Sequence, residues 1–82
     1  MNKVECSVII VNWNVKDLVV KTVEAALNQT DVNLEVIVVD NNSSDESVKA
    51  LQDKFANKIK LIASNTNLGF AKANNKAVAV AN

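Results

Sequence analysis

The chain has no histidine, no proline and no tyrosine, and only one cysteine and one glycine in 82 residues. Each shortage removes a class of function. Without histidine, zinc sites of the Cys/His type are excluded, and so are Ser–His and Cys–His nucleophile pairs. The lone thiol, Cys6, cannot close an internal disulfide. It leads into an apolar run, which predicts a buried and inert side chain. One glycine, Gly69, is too few for the G-x-G-x-x-G turn of dinucleotide folds or for a phosphate-cradling P-loop. The lack of proline fits a compact unit without linkers. No run approaches the roughly 20 apolar residues of a membrane-spanning helix. The apolar stretch near the N-terminus is interrupted by Glu5 and is too short for a signal peptide. The expected location is therefore the cytoplasm, extending to the inner face of the membrane.

Charge of one sign is not in excess either. Nine basic and nine acidic residues give a net charge of +0. Nucleic acids and anionic membranes are bound by a cationic face, so neither is an expected partner. What the chain has in quantity is apolar: hydrophobic residues make up 49%, too many for a disordered chain. The length allows one domain at most, small beside the ~100–150 residues of a typical one.

The apolar residues fall into a repeating pattern. Glu35-Val36-Ile37-Val38-Val39-Asp40 lacks polar alternation, as expected of a strand covered on both faces of a parallel sheet. It stops at Asp40, Asn41 and Asn42. Ser43 and Glu46 then stand at capping-box spacing, predicting a helix over about Asp45 to Phe55 that buries Val48, Leu51 and Phe55. Earlier, Ser7–Val11 reads as a first strand ended by Asn12-Trp13-Asn14. A helix follows from Lys16 to Asn28, with Leu18, Val19, Thr22, Val23, Ala26 and Leu27 at helical spacing and Asn14 as N-cap. Asn28 to Asp31 is a polar break. Lys60–Ala63 is a third, shorter strand. After the turn-prone Asn65 to Gly69, the residues Phe70, Ala73, Ala77, Val78 and Ala81 predict a helix running to the end, with Asn82 as a candidate cap.

The order is βαβαβα, and the fold class is α/β with a parallel sheet. If such a sheet winds in one direction, right-handed crossovers stack every helix on one face and leave the other bare. The first strand would then be an open edge, which predicts self-association. Carboxyl ends of parallel strands are where open α/β sheets take ligands, so Asp40 and Asn41 are candidate binding residues.

Four linked words carry a resemblance over essentially the whole chain: SVIIVNWN, LNQT, EVIVVDNNSSDES and NTNLGFAKANN. In this order and spacing they resemble the opening of family 2 glycosyltransferases, and the DNNS and NLGF words resemble the rhamnosyltransferase-like branch. The resemblance implies a three-layer, Rossmann-like half of a GT-A fold. It implies transfer of a sugar from a nucleotide-sugar donor, with UDP or dTDP as the nucleotide, assisted by Mg2+ or Mn2+. By the same resemblance Val11 lies where the first strand passes the base and Trp13 where an aromatic ring meets it. Asp40 and Asn41 match the pair of which one contacts the pyrimidine edge, with Asn41 standing where aspartate is frequent. Gly69 and Lys72 match the loop and helix start near the ribose and diphosphate.

Chemistry is compatible with these roles. An indole stacks on any base, and carboxylate or amide oxygens accept from a uracil or thymine N3–H. Glycine permits close backbone approach, and a lysine offers a point charge to phosphate. The family's acidic metal-binding word and its catalytic base match nothing in these residues, so the expectation is an incomplete domain, inactive alone. The competing readings are a non-catalytic nucleotide-sugar-binding module and an α/β scaffold. On a purely structural reading, Trp13 caps the core and Lys72 is a solvated helix lysine.

Overall fold

The computed structural model describes residues 4, 6–29 and 33–81. Three strands, β1 (Cys6–Asn12), β2 (Leu34–Asp40) and β3 (Lys60–Ala63), alternate with three helices, α1 (Lys16–Leu27), α2 (Ser47–Phe55) and α3 (Gly69–Val80). The sheet order is β1-β2-β3 and both pairings are parallel. The α/β class, the element order and the parallel sheet are as expected. The end of the predicted break, at Thr30 and Asp31, and the candidate cap Asn82 lie outside the described residues.

The central strand explains the arrangement. Successive side chains of a strand point to opposite faces. Val36 and Val38 therefore meet Val19 and Val23 of α1 and Leu51 and Phe55 of α2 in one core cluster. Ile37 and Val39 meet Ala73 and Ala77 of α3 in another. The expectation of a bare second face is thus overturned: α3 covers it, packing on β1 and β2. A right-handed return from β3 toward the first strand has to pass on the side opposite to α1 and α2. The winding reverses there, and three layers result. β1 remains an edge, paired only with β2 among the described residues.

Several local expectations are corrected. Cys6 is exposed, because it opens the edge strand beyond the cover of the helices. Leu18 and Thr22 face solvent; the buried stripe of α1 is Val19 and Val23. Val48 is only half-buried, and Ser47 joins Leu51 and Phe55 inside. Phe70 is 73% exposed and Val78 is exposed too. The first turn of α3 starts beside the end of β2, so no sheet lies beneath Phe70. Neither predicted cap forms. Asn14 has a φ of 54° and does not cap α1, and Glu46, φ 65°, enters α2 without a side-chain bond. Instead Asp45 accepts from the Ser47 N–H at 3.1 Å.

Candidate functional site at the carboxyl rim

The register places Asn12 opposite Asp40, so β1 and β2 end together. Beyond the ladder, the Asn41 N–H donates to the Asn12 carbonyl at 2.8 Å, and the Ser64 N–H donates to the Asp40 carbonyl at 2.9 Å. These bonds carry the chain past the strand ends as one rim, where the winding reverses and ligands of open α/β sheets bind.

Asp40 and Asn41 part company at this rim. Asp40 is 1% exposed and shares the Val38 face, toward the starts of α1 and α2. Its Oδ1 accepts from Asn12 Nδ2 and from Ser43 Oγ, each at 2.7 Å, and its Oδ2 accepts from the Ser43 N–H at 2.9 Å. Three of roughly four lone-pair sites are thereby filled. Asn41 shares the other face. Its Oδ1 accepts from the Leu68 N–H at 3.3 Å and its Nδ2 donates to the Gly69 carbonyl at 3.4 Å. Those bonds are long and weaker than the set around Asp40. Of the pair, Asn41 therefore has the amide more easily exchanged for another partner.

The other expected residues fall around this pair. Trp13 follows Asn12 directly and is 55% exposed, so it does not cap the core. Val11 is half-buried and packs on the α3 side with Val39. Gly69 has a φ of +77°, and a Cβ there would meet nothing within 4 Å. The backbone angle, not crowding, demands glycine, and the space above it stays open. Lys72 is exposed, three residues into α3. Val11, Trp13, Asn41 and Gly69 thus gather around the ends of β1 and β2; Asp40 is beside them but turned to the opposite layer.

Two residues missed by the sequence reading hold the rim. Asn12 is fully buried, and Ser43 bridges Asn12, Asp40 and Asn14. Asn12 Oδ1 has no hydrogen-bond partner among the described residues, a state that costs about 1–3 kcal/mol for a buried acceptor. The only sequence sign was an amide ending an apolar strand, which equally marks a turn.

Asp45 lies on the α1 side of the rim. Its carboxyl is held below the ordinary aspartate value, first by the Ser47 hydroxyl, then by the backbone N–H groups of Lys16 and Ser47. A depressed folded-state value means stability that is present above the unfolded value, near 3.9, and lost as pH falls through the folded one. Asp45→Asn is expected to flatten the loss of urea resistance as pH falls below about 4. Equal acid slopes for parent and variant would remove Asp45 from this role. Among the described residues no group of three His, Cys, Asp or Glu side chains could hold a metal ion. The carboxylates of Asp40 and Asp45 are turned to internal donors instead. The described residues therefore do not fit a divalent ion.

Comparison with known proteins agrees with this architecture. The model of the glycosyl transferase family 2 matches residues 7–82. The chain belongs to glycosyl transferase family 2. Family 2 members generally use a nucleotide-sugar donor and a divalent metal. A chondroitin synthase of Escherichia coli is 39% identical over 74 residues, covering 88% of this chain and 11% of that protein. A UDP-Glc:alpha-D-GlcNAc-diphosphoundecaprenol beta-1,3-glucosyltransferase of Escherichia coli is 37% identical over 75 residues, covering 92% and 30%. A hyaluronan synthase of Pasteurella multocida is 34% identical over 76 residues, covering 92% and 8%. The chain thus spans less than a third of the length of each of these relatives. No helix among the described residues is long and apolar enough to cross a membrane.

Proposed function

We propose that this chain is the nucleotide-binding part of a family 2 glycosyltransferase, and that its carboxyl rim takes the pyrimidine nucleotide of a UDP- or dTDP-sugar. The observation that carries this reading is the joining of β1 and β2 at Asn12–Asp40: the residue before the exposed Trp13 accepts from the Asn41 N–H, and Asn41 in turn bonds Gly69. In this reading the Trp13 ring stacks on the base and the Asn41 amide meets its hydrogen-bonding edge. The open space over Gly69 admits the ribose, and Lys72 faces the diphosphate. The name of one relative specifies UDP-Glc, which supports uridine. The DNNS and NLGF words favour the rhamnosyltransferase-like branch, and a cytoplasmic site of action is part of the same proposal.

The transfer step needs charge neutralisation at the leaving diphosphate and a base for the acceptor hydroxyl. The described residues supply donor binding and neither of these, so this chain binds the donor without turning it over. Trp13 is the only tryptophan, so its fluorescence reports binding directly. Titration with UDP or dTDP is expected to change Trp13 emission and to saturate below about 1 mM. An unchanged spectrum at higher ligand would overturn the reading. A metal-dependent release of UDP from a UDP-sugar would instead show turnover. The open β1 edge also supports self-association. Sedimentation over a range of concentrations checks it, and a monomer throughout would remove it.

A further inference from the structure

We propose that Asn12 is the positioning residue of the nucleotide cradle: it locks the ends of β1 and β2 together and so sets Trp13 relative to Asn41. The inference rests on the nucleotide-binding reading above and adds to it a residue that touches no ligand.

Asn12 is joined to both members of the Asp40–Asn41 pair. Its carbonyl accepts from the Asn41 N–H at 2.8 Å and its Nδ2 donates to Asp40 Oδ1 at 2.7 Å. The second hydrogen of the same nitrogen goes to Ser43 Oγ at 3.2 Å. Ser43 Oγ in turn accepts from the Asn14 N–H at 2.9 Å, and Asn14 Oδ1 accepts from the Ser44 N–H at 2.7 Å. Trp13 is therefore the middle of three residues whose two neighbours are both fastened to the turn after β2. An exposed indole on a free loop would sample many positions. Here its backbone is held on either side while the ring stays accessible.

Asn12 Oδ1, without a partner among the described residues, separates this role from plain packing. A side chain serving stability alone gains nothing by burying a bare acceptor. Only the donor end of the amide is used, and every bond it makes runs to the rim. Aspartate at this position would present acceptors alone and would set two carboxylates against each other.

The test is UDP binding to the full chain, read by Trp13 fluorescence, with circular dichroism and urea unfolding on the same samples. The variants are Asn12→Ala, Ser43→Ala and Asn12→Asp, with Leu51→Ala as a core variant remote from the rim. Asn12→Ala is expected to weaken UDP about tenfold or more under conditions where it is folded, while Leu51→Ala, folded under the same conditions, stays within about twofold of the parent. Asn12→Asp is expected to bind poorly at neutral pH. It should recover partly on acidification, where a shared proton restores a donor between the two carboxyls. Asn12→Ala should show no such recovery. If Asn12→Ala does not fold, Ser43→Ala carries the measurement, with a loss of about threefold or more expected. A folded Asn12→Ala or Ser43→Ala that binds UDP as the parent does would overturn the positioning role while leaving nucleotide binding intact. A parent chain that does not respond to UDP would overturn the nucleotide reading, and the role of Asn12 with it.

Discussion

Asp40→Ala is expected to lose on the order of 3–5 kcal/mol of stability, because it strands three donors at once. The Asp40 carboxylate accepts from Asn12 Nδ2, Ser43 Oγ and the Ser43 N–H, at a residue that is 1% exposed. A buried donor left without a partner costs about 1–3 kcal/mol; Asn12 is fully buried and Ser43 half-buried. Against a total of about 5–15 kcal/mol for a typical domain, such a loss approaches unfolding. Function should fall with it, since the bonds around Asp40 hold both neighbours of Trp13. Asp40→Asn is expected to be milder. Its oxygen, at the Oδ1 position, still accepts from Asn12 Nδ2 and Ser43 Oγ, and only the Ser43 N–H is left facing an NH2. Urea unfolding at matched slope measures both variants. A loss for Asp40→Ala of under about 1 kcal/mol would mean that the network is solvated and holds nothing.

Ile37→Ala is the second large effect, at about 2–5 kcal/mol. Ile37 is fully buried in the cluster under α3, with Val39, Ala73 and Ala77. The two alanines allow α3 to lie close to the sheet, but their methyl groups are too short to fill the space that Ile37 leaves. The site cannot easily collapse, which places the cost in the upper part of the range. Because α3 starts at the Leu68–Gly69 peptide held by Asn41, a loosened α3 should also loosen the rim. Amide exchange is expected to rise more in α3 than in α1, alongside the lower urea midpoint. A variant as stable as the parent would refute the claim that α3 seals this face of the sheet.

Reading of the sequence reached far into the fold. The apolar run Lys60–Ala63 predicts β3 at the residues observed, and helical spacing predicts the start of α1 at Lys16. Unbroken apolar runs and helical spacing are local signals, and tertiary contact did not override them. Burial along α3 was harder. Its stripe of Ala73 and Ala77 is real, but Phe70 lies on a turn that extends past the sheet. The caps went wrong for a related reason. Ser43 has the spacing of a capping residue, yet its hydroxyl is drawn to Asp40 and Asn12, and Asp45 takes its place.

The site was legible as a set of rim positions and not as a set of contacts. That Trp13, Asp40 and Asn41 follow strand ends could be read from where the apolar runs stop. That Asp40 and Asn41 serve opposite layers could not, since it depends on which helix crosses to which face.

By itself, the sequence determined the succession of strands and helices, the polar ends of the first two strands and membership of the glycosyltransferase family. All of these are written in local pattern and in words of a few residues. Only the tertiary structure decided that α3 closes the second face, that Cys6 and Phe70 are left in solvent, and that Asn12 and Ser43 join segments 28 and 31 residues apart. Hydrogen bonds over such separations exist only after the chain has closed on itself, and no spacing along it records them.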